Sequence, residues 1–217
     1  MNIRLMLAVG LLAGLAWLGP GCSTGGGGKN IDPFADLDLL RAAEGAQAAF
    51  TAGALEKAAE LYTLALTRAR IRDDAREIAR QAYNLAVCRA AADQLDAAQI
   101  ALREARAEAS PNSVQAGLID LLDAKISRRK NQLKDAARLL AAAKPILDKE
   151  GTPSLVAQVR LLTGFLALDA GDRAGARKDL DAARSKVKKS EDPRLGADWA
   201  ALSGQINFEE KKFKEAG

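Results

Sequence analysis

The stretch AAEGAQAAFTAGALEKAAELYTLAL, residues 42–66, decides the fold. It places small residues at Ala46, Ala58 and Ala65, a turn at Gly53–Ala54, and large residues at Leu55 and Tyr62. The pattern returns along the chain, centred on Ala58, Ala98, Ala136, Ala176 and Ala216, at spacings of 40, 38, 40 and 40 residues. A fixed period of this length is the signature of stacked structural repeats.

The alignment extends well beyond the central alanine. Twelve residues before it stand Ala46, Ala86, Ala124, Gly164 and Gly204, and seven after it Ala65, Ala105, Ala143 and Ala183. Four after it come Tyr62, Leu102, Leu140 and Leu180. Five before it come Gly53, Asp93, Asn131, Gly171 and Lys211, of which the first four tolerate the left-handed backbone that ends a helix. Small residues let two helices approach, and large ones fill the grooves between them. The unit is therefore a helix hairpin. One hairpin cannot bury its apolar face alone, and stacking neighbours does so.

Composition agrees. Hydrophobic residues make up 48% of the 217 but aromatic ones only 4%, so alanine and leucine must build the core, which suits helix over sheet. Cap-and-proline pairs at Asp32–Pro33, Ser110–Pro111, Thr152–Pro153 and Asp192–Pro193 mark helix starts. The second repeat starts near Asp73–Asp74 without proline. The expected helices are 33–52, 55–70, 74–92, 95–109, 111–130, 133–149, 153–170, 173–189 and 193–210, with a stub from 212. Pro145 is expected to kink the sixth or end it near Lys144. The ninth should leave Ala201 and Phe208 less covered, and this incomplete last repeat invites a partner or self-association with a second copy.

Residues 1–21 read as a signal peptide. Arg4 gives a charged start, Leu5 to Leu18 is an apolar run too short to span a bilayer, and Gly19-Pro20-Gly21 breaks it just before Cys22. Residues 22–31, with the run STGGGGK at 23–29, read as a flexible tether. A phosphate loop is excluded there, because Ser23 stands where its first glycine should and Asn30 where its Ser or Thr should. Residues 32–217 form the repeat domain.

The break before Cys22 resembles a bacterial lipoprotein signal. That resemblance implies cleavage before Cys22, acylation of that cysteine by palmitate-type chains, and a membrane-anchored product. Ser23 stands where an aspartate would resemble an inner-membrane retention signal, so the outer membrane, facing the periplasm, is the expected site. An ordinary signal peptide with an incidental cysteine is the plainer alternative.

The repeats themselves resemble the tetratricopeptide repeat, most closely in YNLAVCRAAADQLDAA, residues 83–98, and LLTGFLALDAGDRAGA, residues 161–176. The period exceeds that family's usual 34, so the loops between units are longer. The resemblance implies an all-α fold, a right-handed superhelical solenoid of antiparallel helix hairpins with about four full repeats plus a partial fifth. In that family the first helices line a concave face. Aligned positions here are Gln47, Phe50, Arg80, Tyr83, Val87, Leu121, Lys125, Arg128, Leu161, Phe165 and Leu168, an apolar groove with a basic middle. Lys125 and Arg128 would pair with acidic groups of a bound peptide. Leu, Phe and Tyr at helical spacing fit a core equally well, and Arg128-Arg129-Lys130 equally fits a solvated helix end.

Function classes narrow from there. The chain contains no histidine, which removes the commonest general base and metal ligand. It carries no GxSxG, HExxH, Walker or CxxC motif, so no catalytic residue, metal or cofactor is expected. Net charge is only +4 and aromatics are few, so nucleic acid is not an expected partner. Cys88 reads as a buried structural thiol. The expected role is a non-catalytic scaffold or adaptor binding an envelope protein or peptide. The alternative is a periplasmic capture protein for a small or polymeric ligand, a glycan or cell-wall fragment, in the groove.

Overall fold

A computed structural model describes residues 36–190 and 192–216. These form nine α-helices: α1 (Leu37–Thr51), α2 (Leu55–Ile71), α3 (Ala75–Ala91), α4 (Leu95–Glu108), α5 (Val114–Arg129), α6 (Leu133–Glu150), α7 (Pro153–Asp169), α8 (Arg173–Lys189) and α9 (Pro193–Ala216). No strand occurs among the described residues. Each of the first four odd-numbered helices packs most closely on the even-numbered helix that follows it. The architecture is thus a repeat-like series of adjacent helix pairs.

The turns carry the backbone that the repeat pattern requires. Gly53, Asp93, Asn131 and Gly171 all have positive φ, from 60° to 82°. Each joins the two helices of one pair, and side chains that tolerate this region stand at all four places. The fifth equivalent, Lys211, lies inside α9. Where a stub from 212 was expected after a turn, α9 continues unbroken, since a lysine offers no ready left-handed stop.

Helix starts follow side-chain capping. Asp36, Asp74, Ser113, Thr152 and Asp172 accept backbone N–H bonds from the first turn of α1, α3, α5, α7 and α8. The Thr152–Pro153 and Asp192–Pro193 signals mark true starts, with each proline the first helical residue. Ser110–Pro111 does not. The chain makes a turn through Asn112, at φ 56°, and α5 begins at Val114 under a Ser113 cap. Asp32–Pro33 lies outside the described residues, as do the signal peptide, Cys22 and the tether.

Pro145 neither ends nor divides α6, which runs on to Glu150 and stops at Gly151 in the left-handed region. The proline removes one intrahelical donor, but the turn beyond it is held by packing. Leu147 is fully buried, and Gly117 on α5 is so close that a Cβ there would come within 3.2 Å of Leu147 and Ile146 side-chain atoms. Burial of such a side chain contributes about 1.5–3 kcal/mol, enough to offset the lost bond.

The described chain divides into two compact units, one ending at Ala109 and one from Ser110 onward. In the first, α1 packs on α2, α2 on α3 and α3 on α4. In the second, α5–α6 and α7–α8 pair, and α7 also touches α5 and α9. The same small-residue register builds both. Ala46, Ala58 and Ala65, then Ala86, Ala98 and Ala105, have no exposed surface; neither do Ala124, Ala136 and Ala143, nor Ala176 and Ala183. At Gly164 a Cβ would lie 2.7 Å from Leu202 Cδ2, so glycine is what seats α9 against α7. Gly204, the equivalent on α9, is exposed and faces open space. Phe208 is likewise exposed, and Ala201 half-buried.

Candidate functional site

The residues aligned with a concave groove divide by burial. In the first unit, Phe50 on α1 and Tyr83 and Val87 on α3 are buried. Gln47 and Arg80 keep part of their surface. The Gln47 side-chain oxygen accepts a bond from the Tyr62 hydroxyl at 3.1 Å, and Arg80 pairs with Glu77 at 2.6 Å. The Tyr83 hydroxyl is buried without a hydrogen-bond partner, and burial raises its pKa well above that of a free tyrosine. In the second unit Leu121, Leu161 and Phe165 are core residues, while Leu168 is half-buried. The bland alternative, an apolar core at helical spacing, therefore describes most of the apolar set.

The two cations of the aligned set have different surroundings. Arg128, on the last turn of α5, reaches Asp169 at the end of α7 through both Nε and Nη2, the latter 3.2 Å from Oδ1. Its guanidinium also lies 4.5 Å from the centroid of the Phe165 ring. Both contacts suit a planar cation and tie α5 to α7.

Lys125, one turn earlier on α5, is 4% exposed. Its ammonium donates to Oε1 of Gln158 on α7 at 2.8 Å, and Gln158 is itself buried, its amide 3.5 Å from Ser154 Oγ. The lysine is thus held by an amide oxygen and not by a carboxylate at contact distance. Desolvation brings its pKa down from 10.5 to about 8, against the opposing pull of Asp198 on α9 and Asp192 just before it. Asp198 is pushed the other way, from 3.8 up to about 6, by burial, with Lys125 opposing and Asp192 adding to the rise. Asp120, earlier on α5, is also buried.

Lys125 and Asp198 are the shifted groups seen in the second unit, and shifted groups concentrate at functional sites. Sequence alignment marked only the lysine. The missed signal was positional: Gln158 and Asp198 each stand 18 residues before a repeat centre, Ala176 and Ala216, so they recur at one place on successive inner helices. The corresponding residue on α5 is Leu118, fully buried, and on α3 it is Arg80.

Cys88 is a free, buried thiol on α3. Burial pushes it up to about 12, so it is protonated and unreactive at neutral pH. Among the described residues no group of His, Cys, Asp and Glu is arranged to hold a metal ion, and no helix is long and apolar enough to cross a membrane. Compared with known protein families, with curated proteins and with solved structures, the chain has no significant match.

Proposed function

We propose that this protein is a tetratricopeptide-like lipoprotein of the bacterial envelope, anchored through Cys22 and acting as a non-catalytic adaptor for another envelope protein. The observation that carries the reading is the series of helix pairs in one register, with Ala58, Ala98, Ala136 and Ala176 all fully buried at their centres. Such arrays offer extended surface and are put to use by binding. The leader and the glycine-rich tether supply the reason for placing that surface beside a membrane. Within the aligned set, Gln47 and Arg80 keep accessible surface in the first unit, and Arg128 and Leu168 do so in the second.

The test is crosslinking and recovery from native membranes, with the intact protein beside an Arg80→Glu/Arg128→Glu variant and a Cys22→Ser variant. The adaptor reading expects one envelope protein recovered with the intact form and lost with the charge-reversed form. Cys22→Ser should leave the membrane fraction. Recovery of no protein with either form contradicts the adaptor role, and continued membrane association of Cys22→Ser contradicts the anchor.

A further inference from the structure

Charge is spread unevenly over the helices. Between Arg173 and Lys189, α8 carries seven basic residues against two acidic ones, a net charge of +5. That exceeds the +4 of the whole chain, and no other helix exceeds +2. One side of α8, with Ala176, Leu180 and Ala183, is buried in the core it shares with α7 and α9. The opposite side presents Lys178, Asp181, Ser185, Lys188 and Lys189, all exposed. Lys178 and Lys189 are about three turns apart, so they share one face and span about 16 Å along it. Asp179, the other acid of α8, is turned to Arg160 of α7 at 3.3 Å and does not offset them. Arg177 is held by Glu210 and Asn207 of α9, and Arg184 lies 6.0 Å from the Trp199 ring centroid. Lys178, Lys188 and Lys189 have no ion pair among the described residues.

A helix C-terminus favours cations, and that accounts for part of the pattern, the last-turn Lys186, Lys188 and Lys189. The influence of the helix dipole fades within that turn and does not reach Lys178 or Arg184. Nor is the face built for a protein partner, whose binding centres on buried aromatic or aliphatic anchors. The exposed large apolar residues of the described chain stand on α1, α2, α4 and α9, with none on α8. A cationic helix face without apolar anchors matches a planar anionic surface, and a cluster of this many Lys and Arg on one helix is the density that binds anionic headgroups. We propose that the outer face of α8 rests on anionic phospholipid headgroups, through Lys178, Lys188 and Lys189. The choice of partner rests on the anchored reading of Cys22, which puts a bilayer within reach. A covalent lipid and a polybasic face are two signals that add in holding a protein to a membrane. The second of them also fixes which side of the α5–α9 unit meets the bilayer.

The experiment measures how fast an amine-reactive reagent labels each lysine of the purified full-length protein on vesicles. One set is phosphatidylcholine alone, and the other is equal parts phosphatidylcholine and phosphatidylglycerol. Lys178, Lys188 and Lys189 should be labelled about tenfold more slowly on the anionic set, since each lysine near such a surface favours it by about fivefold. Salt at about 0.5 M should abolish the difference. The exposed Lys134 and Lys149 of α6 are internal controls and should be unchanged. In a Lys178→Glu/Lys188→Glu/Lys189→Glu variant, checked for helicity by circular dichroism, the remaining Lys186 should be labelled at one rate on both sets. Equal rates for the three lysines of the intact protein overturn the proposal. So does slowing that includes α6 equally, that survives salt, or that persists at Lys186 in the variant. Slowing in native membranes but not on anionic vesicles assigns the face to an acidic protein and overturns the lipid assignment. Flotation with the phosphatidylcholine vesicles reports the anchor separately. Protein that does not float with them, yet shows slowed α8 lysines on the anionic set, loses the anchor and keeps the face.

Discussion

In the unit of α1–α4, the fully buried polar groups are neutral: Gln81 and the hydroxyl of Tyr83. In the unit of α5–α9 they include side chains that carry a charge in water at neutral pH, Lys125 and Asp120, with Gln158 bonded to the lysine. Yet both units bury the same alanines in the same register. The difference teaches that the repeat fixes volume at the helix contacts and leaves polarity at the inner positions open. Position 87 on α3 is valine, the aligned position on α5 is Lys125, and on α7 it is Phe165. Three side chains of different chemistry occupy one place in the hairpin, and all three are buried.

The comparison can be broken most forcefully at Phe165. Phe165→Ala should cost about 3–5 kcal/mol, as for other buried aromatics. It removes core volume and the ring beneath Arg128, so urea melts should show a loss greater than that for Val87→Ala at the aligned place in the first unit. Equal losses would mean that the two units are not built differently there. A sharper contrast comes from pH. Lys125→Met should stabilise the second unit at pH 7 and do so progressively less as pH rises from about 8 to 10.5, because the wild-type lysine sheds its cost over that range. Val87→Met in the first unit should show no such dependence. Thermal melts across pH 7–10 would decide it, and parallel curves for the two variants would count against a buried charge at Lys125.

Smaller effects test the turns and the surface. Gly53→Ala and Gly171→Ala place a Cβ where φ is 79° and 82°, with open space around it. Each should cost about 1 kcal/mol through backbone strain alone, and the two costs should match because the geometry does. Among the ion pairs, Arg70–Glu104 in the first unit is more exposed than Arg128–Asp169 in the second. Glu104→Gln should therefore cost at most about 1 kcal/mol and fade with salt. Asp169→Asn should cost more, since it also loosens the stacked guanidinium. A reversed order in denaturant melts at low and high salt would contradict the burial argument.

Much of the fold was legible in the sequence because it rests on residue volume and turn chemistry, both of which are local. The spacing of about 40 residues between alanines located the packed centres, and glycine, aspartate and asparagine located all four pair turns, Gly53, Asp93, Asn131 and Gly171. Failures came where tertiary packing outvoted a local rule. Pro145 reads as a kink in α6 or its end near Lys144, but Leu147 and Ile146 against Gly117 carry the helix past it to Glu150. Ser110–Pro111 reads as a start, but the cap three residues later, Ser113, competes for the same role and takes it. The groove was harder to read. An apolar residue at helical spacing carries the same signature whether it faces a ligand or a neighbour, and Phe50, Tyr83, Leu121 and Phe165 face neighbours. Lys125 aligns with a groove cation, yet it is buried, and its partner Gln158 lies 33 residues away, beyond any local pattern.

The central claim is that one packing register, centred on Ala58, Ala98, Ala136 and Ala176, organises both units. Substituting leucine at each of the four, and at the exposed controls Ala137 and Ala174, tests it by equilibrium denaturation. The account predicts a loss of about 1–3 kcal/mol at all four centres, from overpacking, and changes within about 0.5 kcal/mol at the two controls. Ala136→Leu and Ala137→Leu giving the same melting curve would contradict it.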